Sequence, residues 1–422
     1  MTKTILCYDM DMYFASIAIR DNPSLKNKPL IIGSMPNERG VVCTASYEAR
    51  KYGIHAGMSS YEAYLKCPNA IFLYPDTKSI TETTNIIKNI VLNYSDIIEF
   101  IAFDEAYIDM SHTKQLFNNG DITKTAILLK EKIFKATKCT CSIGIGYSKY
   151  SAKMASEENK PNGFGKILTP KELLSLISNK PVSILHGVGK KLEKSLNSKQ
   201  IYTVHDLQQK SPYYIQENFG LNGIFFYNMA LGIDNREVCP PVKEKGIGNS
   251  TTLQKNISGI NNIKTAISTP LKTACYRLNE QKLYTKNISI QIRYSDFTTI
   301  TRTKELPTAI ISLNDIYREV CYLLEQKVEN YNNIRLVGVR LSSLTSEPKK
   351  QLSLFENNLY KSKLEKLNSI SNTIRKNYGY DIIKDSICYE FKIVKEKQDN
   401  DYKQLDSIRN LRTIEAFKTL YR

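Results

Sequence analysis

Two adjacent acidic side chains interrupt an otherwise apolar stretch of this sequence. Residues 100–109 read FIAFDEAYID, in which aromatic and β-branched residues surround Asp104 and Glu105. This composition predicts a β-strand. Successive strand side chains point to opposite faces, so the two carboxylates reach one site only at a strand end or a tight turn. Taken alone, the stretch favours a plainer interpretation, an acidic turn between two strand segments.

A second apolar strand near the N-terminus also carries acids. Residues 5–14 read ILCYDMDMYF and contain Asp9 and Asp11. Buried strands seldom end in several acids unless the acids hold a cation. Two such strands side by side would bring three carboxylates to one point. Mg²⁺ prefers oxygen ligands and leaves positions open for substrate phosphates, and two such ions can clamp a phosphoryl transfer. The two stretches together therefore predict a metal-dependent phosphoryl-transfer site.

Basic residues that could hold a triphosphate follow further along the chain. A strand is predicted to break into a short helix at Thr44, which Ser46 could cap so that free N–H groups face an anion. Tyr47 and Arg50 share one face of this helix, and the arginine fork suits phosphate. Lys160 lies in a Lys-Pro-Asn-Gly turn. The alternatives are an ordinary helix with a solvated arginine and one more solvated lysine.

The elements that must position these side chains alternate between strand and helix. A helix signal near Phe14 follows the first acidic strand. Amphipathic helices are predicted over 79–95 and 121–138, on either side of the central acidic stretch. A strand at 139–146 then leads into a helix at 147–156.

Composition and charge bound the partners and the compartment. The chain has 422 residues, which predicts two to four domains, and a formal charge of +17, which suits a polyanion or, at this level, an anionic membrane surface. No run of eighteen apolar residues and no signal-peptide layout occur, so we expect no membrane span. Nine cysteines without a Cys-x-x-Cys pair, and only four histidines, argue against zinc or disulfides and favour a reducing cytoplasm.

Five motifs occur in order between residues 9 and 163: Asp-x-Asp-x-x-Phe-Ala-Ser, Ala-Ser-Tyr-Glu-Ala-Arg, Asp-Glu-Ala-Tyr-x-Asp, Ser-Ile-Gly-Ile-Gly and Lys-Pro-Asn-Gly. In this combination the chain resembles the Y-family, or translesion, DNA polymerases of the DinB/UmuC type. The resemblance implies an α/β, multi-domain right-hand fold with palm, fingers, thumb and little finger. It also implies a DNA-dependent DNA polymerase that adds deoxynucleotides to a primer 3′ end. No exonuclease-like acidic cluster is evident elsewhere in the sequence, so we expect no proofreading.

The resemblance assigns roles to matching positions. Asp9, Asp104 and Glu105 would bind two Mg²⁺ ions, and the backbone carbonyl of Met10 would complete one metal site. Phe14 would lie beneath the incoming sugar as a steric gate. The residues implied to hold the triphosphate are Thr44, Tyr47, Arg50 and Lys160.

Later segments of the sequence predict contacts with DNA phosphates. Gly187-Val-Gly189 followed by Lys190 predicts a helix-hairpin-helix turn whose N–H groups could hold a DNA phosphate, with a plain helix turn as the alternative. A last domain is predicted from helices near 261–280 and 311–328 and strands at 287–293, 298–303 and 334–341. Four of its arginines could line a face for phosphates or could be solvated edge residues: Arg293, Arg302, Arg335 and Arg340.

An apolar pentapeptide follows the polar run at 345–350. Residues 351–355 read QLSLF and resemble the peptide with which bacterial polymerases bind the sliding clamp. Its apolar side chains would dock in a preformed groove. The residues expected to bind the clamp are Gln351, Leu352, Leu354 and Phe355.

The resemblance sets the expected domains and partners. Primer–template DNA, deoxynucleoside triphosphates and the sliding clamp are the expected partners of a monomer. Two alternatives stay open, another palm nucleotidyl transferase or cyclase and a non-catalytic DNA-binding relative. The first needs neither the Gly-Val-Gly turn nor the clamp peptide, and the second gains nothing from clustered acids. The expected ranges are palm 1–10 and 76–165, fingers 11–75, thumb 166–233, linker 234–250, little finger 251–344 and tail 345–422.

Overall fold

The computed structural model describes residues 3–240 and 244–346, together with residues 370 and 374. In chain order the strands are β1 Ile5–Met10, β2 Leu30–Gly33, β3 Val42–Ala45, β4 Ile71–Leu73, β5 Ile98–Phe100, β6 Glu105–Asp109, β7 Cys141–Gly146, β8 Phe164–Ile167, β9 Gly246–Ile257, β10 Tyr284–Tyr294, β11 Thr299–Ile310 and β12 Ile334–Thr345. The helices are α1 Tyr13–Asp21, α2 Tyr47–Arg50, α3 Ser60–Lys66, α4 Thr77–Val91, α5 Ile122–Thr137, α6 Lys149–Glu157, α7 Pro170–Ile177, α8 Lys190–Asn197, α9 Val204–Gln208, α10 Pro212–Ala230, α11 Ile260–Glu280 and α12 Leu313–Lys327.

Strand β1 lies at the centre of a five-stranded sheet with the order β5-β6-β1-β7-β8. It pairs antiparallel with β6 and with β7. All six of its residues are buried, because both faces of the sheet are covered. Leu6 and Tyr8 belong to the core that includes residues of α4 and α5, whereas Ile5 and Cys7 pack on the opposite face with Ala152 of α6. Asp9 alternates onto that second face, the α6 side of the sheet.

Glycines let α6 lie directly on β7. A β-carbon on Gly144 would be 2.0 Å from the carbonyl oxygen of Ala152, and one on Gly146 would be 2.2 Å from the Ala152 nitrogen. Neither contact is possible for a real side chain. The Ser-Ile-Gly-Ile-Gly motif therefore has a packing function, since it sets the helix at backbone distance from the sheet. As a result, every residue of α6 except Glu157 is buried.

Three further units surround this sheet. A small sheet of order β3-β2-β4 packs with α2 and α3 around Ile31, Val42 and Ala49. Helices α7 to α10 form a helical unit whose core also includes residues of α6 and β8. The last unit is an antiparallel sheet of order β11-β10-β12-β9, and α11 and α12 cover one face of it. No helix in the part of the chain that the structure describes is long and apolar enough to cross a membrane.

One segment fits the sequence-based expectation and one differs from it. Residues 100–109 form the hairpin of β5 and β6 with the acids at its turn, as the expected strand end or tight turn requires. The predicted linker at 234–250 is partly structured. Val238 is buried against Ile5 and Tyr107, the side chain of Asp234 accepts the backbone N–H of Tyr150 at 2.9 Å, and residues from 246 onward belong to β9. The proline- and glycine-rich composition of this segment did not predict these contacts. Val238 packs on the central sheet and Asp234 is hydrogen-bonded to α6.

Candidate active site

The structure brings the predicted carboxylates together at one end of the central sheet. Asp9 of β1 lies directly opposite Glu105 of β6, so both side chains are on the same face. Asp104 immediately precedes β6, and its carbonyl oxygen accepts the N–H of Met10 at 2.9 Å. The expectation that the acidic pair sits at a strand end and tight turn is confirmed. Asp9, Met10, Asp104 and Glu105 thus form one compact group.

Two lysine ammonium groups lie against these carboxylates. Lys153 Nζ is 2.5 Å from Asp9 Oδ2 and 2.9 Å from Glu105 Oε2, and Lys160 Nζ is 2.7 Å from Asp9 Oδ1. Lys160 was expected near a phosphate. Lys153 was missed by sequence reasoning, although a lysine among small residues in a helix next to a glycine-rich strand is a signal for burial. Two lysine side chains therefore already offset part of the negative charge of Asp9 and Glu105.

Two side chains of this group, Asp104 and Lys153, have raised pKa values. Burial, and then the charges of Asp9 and Glu105, raise the pKa of Asp104 to about 6. The pKa of Lys153 is also raised, since the neighbouring carboxylates outweigh the opposing effect of its burial. Burial is the larger cause of this high pKa, and a further cation would relieve the part that the neighbouring carboxylates contribute.

The donor set suits a hard divalent cation, which prefers carboxylate and carbonyl oxygens. Within the described residues, however, no three acidic, histidine or cysteine side chains stand ready around one point as a metal cage. The ammonium of Lys153 occupies the space between Asp9 and Glu105. Binding of a metal therefore requires the carboxylates to share or exchange this partner.

Asp11, the other acid of the first strand region, has a different task. Its carboxylate is buried and accepts the hydroxyl of Ser142 at 2.9 Å and the N–H of Asn162 at 2.8 Å. The hydroxyl of Tyr47 donates to it at 3.5 Å. Asp11 thereby connects β7, the Lys-Pro-Asn-Gly turn and helix α2. It holds the lysine and tyrosine expected at the triphosphate in a fixed relation.

The expected triphosphate residues on the small sheet lie near this network. The Arg50 guanidinium carbon is 4.9 Å from the centre of the Tyr47 ring, and Arg50 Nε donates to the Ala45 carbonyl at 3.0 Å. Thr44 is half-buried in β3. Ser46 caps α2 as expected, accepting the Ala49 N–H. The capping side chain is fully buried, and the role of the remaining N–H groups of α2 towards an anion stays a prediction.

Phe14 lies in the first turn of α1, half-buried between two hydrophobic clusters. Its ring meets the ring of Phe103, which belongs to the acidic hairpin turn. Neighbouring Tyr13 is buried, and its hydroxyl is 2.8 Å from the hydroxyl oxygen of Thr84. Of the two aromatic residues, Phe14 is therefore the one that is still partly accessible beside the carboxylates.

The predicted helix-hairpin-helix turn is on the surface. Gly187, Gly189 and Lys190 are all exposed, and Gly189 is the N-cap of α8. Gly187 has a φ of 100°, which favours glycine. No side chain caps α8, so its first N–H groups are directed outward.

The four arginines of the last sheet do not share one face, and for Arg302 the expectation is wrong. Arg302 lies opposite Ile290, a core residue beneath the helices. Its Nε donates to the carbonyl of Lys327 at the end of α12 at 2.7 Å. The reason is the two-residue period of the strand, which puts Arg302 on the helix side.

The other three arginines are not held by the helices. Arg340 lies opposite Ser289, and Arg293 lies opposite Leu336, which places both on the face away from α11 and α12. Arg335 stacks on the ring of Phe297 at 4.6 Å. The pKa of Arg335 is lowered, first by burial and then by the nearby positive charges of other arginines. This end of the sheet is therefore strongly basic.

Arg39, which sequence reasoning missed, joins the small sheet to β9. Its backbone N–H donates to Gln254 Oε1 at 2.9 Å. Its guanidinium donates to the Leu253 carbonyl at 3.3 Å and to Asn256 Oδ1 at 2.6 Å. The charge of Arg39 acts on Arg335 of the neighbouring strand, so the basic region extends across two units.

The predicted clamp-binding residues Gln351, Leu352, Leu354 and Phe355 lie outside the described residues.

Comparison with known proteins identifies the family. Residues 8–157 match the impB/mucB/samB family, and residues 244–354 match its C-terminal domain. A DNA polymerase IV of Streptococcus thermophilus (strain CNRZ 1066) is 36% identical over 84% of this chain and 96% of its own length. A Y-family DNA polymerase chimera, Dbh-Dpo4(243-245)-Dbh, aligns with a TM-score of 0.71 at 25% identity, over 82% of this chain and 100% of the chimera. An insertion ternary complex of Dbh DNA polymerase aligns with a TM-score of 0.56 at 25% identity, over 80% of this chain and 98% of Dbh.

The chain belongs to the impB/mucB/samB family, the DinB-type Y-family DNA polymerases. It is a DNA-directed DNA polymerase of the translesion class with the palm, fingers, thumb and little-finger architecture of that family. Polymerases of this family act on DNA and nucleotides, and membership of the family implies a divalent metal cofactor in general.

Proposed function

We propose that Asp9, Asp104 and Glu105, with the carbonyl of Met10, hold two Mg²⁺ ions for nucleotide addition. The observation that carries this proposal is the register of β1 and β6, which sets Asp9 opposite Glu105 with Asp104 one residue away. When bound, the ions would neutralise the charge of the triphosphate and polarise the reacting oxygens. The chain itself supplies fixed oxygen donors and a rigid sheet beneath them.

The residues around the carboxylates would position the nucleotide. Tyr47 and Arg50 stack on each other and would bind triphosphate oxygens, with Thr44 as a hydroxyl donor on β3. Lys160 contacts Asp9 and would turn to the phosphates, because its side chain is partly exposed. Phosphoryl transfer of this kind depends on positioning and charge stabilisation. Phe14 would limit the space beneath the sugar.

The basic surfaces would hold the primer–template. Gly187, Gly189 and Lys190 would grip one DNA phosphate through outward N–H groups and charge. Arg293 and Arg340 would contact phosphates on the open face of the last sheet, together with Arg335, whose pKa is affected by nearby Arg293. Phosphate contacts position a duplex without reading its sequence, as a polymerase requires.

The remaining parts of the proposal rest on the sequence. Residues 351–355 would bind a sliding clamp, and the enzyme would act as a monomer. The domain ranges given above are proposed as they stand, except that the linker is confined to the segment before β9. The cysteines that the structure describes all carry free thiols, which supports the proposal of a reducing cytoplasm.

Primer extension with Glu105→Gln tests the catalytic assignment. We expect incorporation to fall by about a thousandfold or more, since several kcal/mol of charge stabilisation are lost. Binding of primer–template DNA should be unchanged. Asp109→Asn is the matched control, because Asp109 ends the same strand away from the site and should keep full activity. Full activity of Glu105→Gln would overturn the assignment.

A further inference from the structure

Lys153 is the most deeply buried ammonium next to the proposed metal ligands. Only 5% of its side chain is exposed, and Nζ contacts Asp9 at 2.5 Å, Glu105 at 2.9 Å and Glu157 at 3.3 Å. An ammonium has three N–H donors. Lys153 donates a hydrogen bond to Asp9 and forms ion pairs with Glu105 and Glu157.

The ammonium of Lys153 offsets the repulsion between the carboxylates of Asp9 and Glu105. Asp9 and Glu105 are cross-strand neighbours, and like charges directly opposite each other destabilise a sheet. Removing one partner from a buried ion group leaves an uncompensated charge, which is strongly unfavourable. Without a metal the carboxylate pair therefore needs a cation, and Lys153 is the buried ammonium that contacts both members of the pair.

The anchoring of Lys153 is rigid. It projects from α6, which the glycines of β7 hold at backbone distance from the sheet. Both oxygens of Asp9 already contact an ammonium, Lys153 at Oδ2 and Lys160 at Oδ1. A divalent ion that takes an oxygen of Asp9 must share it with a lysine or displace the lysine.

We propose that Lys153 is a positioning residue that holds Asp9 and Glu105 together as a cation substitute in the metal-free enzyme and competes with the first divalent ion for them. This inference rests on the proposed function, in which those carboxylates bind metal. It predicts a trade-off, because the same charge that stabilises the metal-free site weakens metal binding. A merely structural lysine would affect stability alone.

The test measures metal binding and stability of the full chain without DNA. Titration calorimetry with Mg²⁺ or Mn²⁺ gives the affinity, and thermal unfolding in EDTA and in excess Mg²⁺ gives the stability. For Lys153→Met we expect a lower Tm in EDTA, a larger rise of Tm with Mg²⁺ than the parent shows, and metal affinity stronger by about tenfold or more. Lys153→Arg keeps the charge and should keep the metal affinity of the parent.

Lys149→Met is the matched control. Lys149 lies one turn earlier on α6, is equally buried and contacts Glu99 at 2.5 Å. Its loss should lower Tm equally in EDTA and in Mg²⁺ and leave metal affinity unchanged. The inference is overturned if Lys153→Met binds metal no more tightly than the parent, or if it remains unfolded in saturating Mg²⁺. A Lys153→Met chain that folds only with the metal meets the expectation.

The same titration separates this inference from the proposed function. If the parent binds metal and Glu105→Gln does not, the carboxylate assignment holds whatever Lys153→Met does. If the parent binds no divalent ion, or Glu105→Gln binds it equally well, the metal assignment itself fails.

Discussion

The rings of Phe14 and Phe103 meet edge to face, with centroids 6.2 Å apart and planes at 62°. This geometry is a favourable one for aromatic pairs. Phe103 immediately precedes Asp104, so the ring of Phe14 is fastened to the hairpin turn that carries the acids. A side chain held in this way keeps a fixed distance from the carboxylates.

Phe14→Ala should admit ribonucleotides. A rigid ring under the sugar leaves no room and no hydrogen-bond partner for a 2′ hydroxyl. If exclusion raises the barrier by roughly 3–4 kcal/mol, the selectivity for deoxynucleotides is on the order of a few hundred-fold and should largely disappear in the variant. Single-turnover incorporation of paired ribo- and deoxynucleotides measures it.

The alternative for Phe14 is a core residue only. In that case the variant would lose about 3 kcal/mol of stability, and incorporation of both sugars would fall alike. An unchanged ribo/deoxy ratio would therefore contradict the steric-gate role.

Asp104→Asn should stabilise the metal-free protein at neutral pH. The pKa of Asp104 rises from an ordinary 3.8 to about 6, so its ionisation opposes folding. Well below pH 4 the carboxyl is protonated in both folded and unfolded chains, and it has no effect. Between pH 4 and 6 the folded state becomes less stable as pH rises. Above pH 6 the full penalty applies, at most about 3 kcal/mol.

Thermal unfolding in EDTA between pH 4.5 and 7.5 measures this difference. The gain of Asp104→Asn over the parent should grow with pH and shrink when Mg²⁺ is added, since a bound cation offsets the same charge. Equal stability of parent and variant at pH 7 would show that the carboxyl ionises without penalty.

Gly144→Ala should be severely destabilising. The new β-carbon would meet backbone atoms of α6, the Ala152 carbonyl at 2.0 Å and the Ser156 nitrogen at 2.4 Å. Backbone cannot turn aside, so the helix must move away from the sheet, at a cost of about 3 kcal/mol or more. Gly189→Ala is the control, because nothing lies within 4 Å of its β-carbon. Urea unfolding of both variants gives the comparison, and equal midpoints would contradict the packing role.

Arg340→Ala should weaken DNA binding, whereas Arg302→Ala should not. Arg340 lies on the open face of the last sheet, and Arg302 is bound to the end of α12. Loss of one phosphate contact lowers the slope of log affinity against log salt by about one. Fluorescence anisotropy on primer–template DNA at several salt concentrations measures both variants. A reduced slope for Arg302→Ala alone would mean that DNA binds the opposite face.

Replacing Leu354 and Phe355 with Ala should remove stimulation by a sliding clamp. Extension of short primers without the clamp should be unchanged, because tethering raises effective concentration without new contacts to DNA. Primer extension with and without the clamp measures the ratio. If the double variant is stimulated as strongly as the parent, residues 351–355 are not the docking peptide.

The sequence predicted the acidic residues of the candidate site more completely than it predicted the basic residues of the fold. Asp9, Asp104 and Glu105 were predictable because acids inside apolar strands are rare and have few explanations. The strand periods also predicted most elements of both large sheets. Lys153 was not predictable from period alone, since a lysine on a helix is usually solvated and only the glycines of β7 reveal that this helix has no solvent side. The position of Arg302 required the register of β11, which no local pattern contains.

The docked segment before β9 and the bridge made by Arg39 were missed for a related reason. Arg39 contacts residues more than 200 positions away, and Asp234 contacts α6 84 positions away. Hydrogen bonds between distant segments depend on how separately folded units pack against one another. Hydrophobic periodicity predicts only which residues are buried within one unit.

The central place of β1 in its sheet has a consequence for synthesis of the chain. β1 is made first, yet its neighbours β6 and β7 follow about a hundred residues or more later. The ion pair of Asp9 with Lys153 spans 144 positions, which a ribosome covers in roughly 7–30 s. All strands of the small sheet lie within residues 30–73, so this unit can form in the meantime. Until residue 153 has left the ribosome, Asp9 cannot form its ion pair with Lys153.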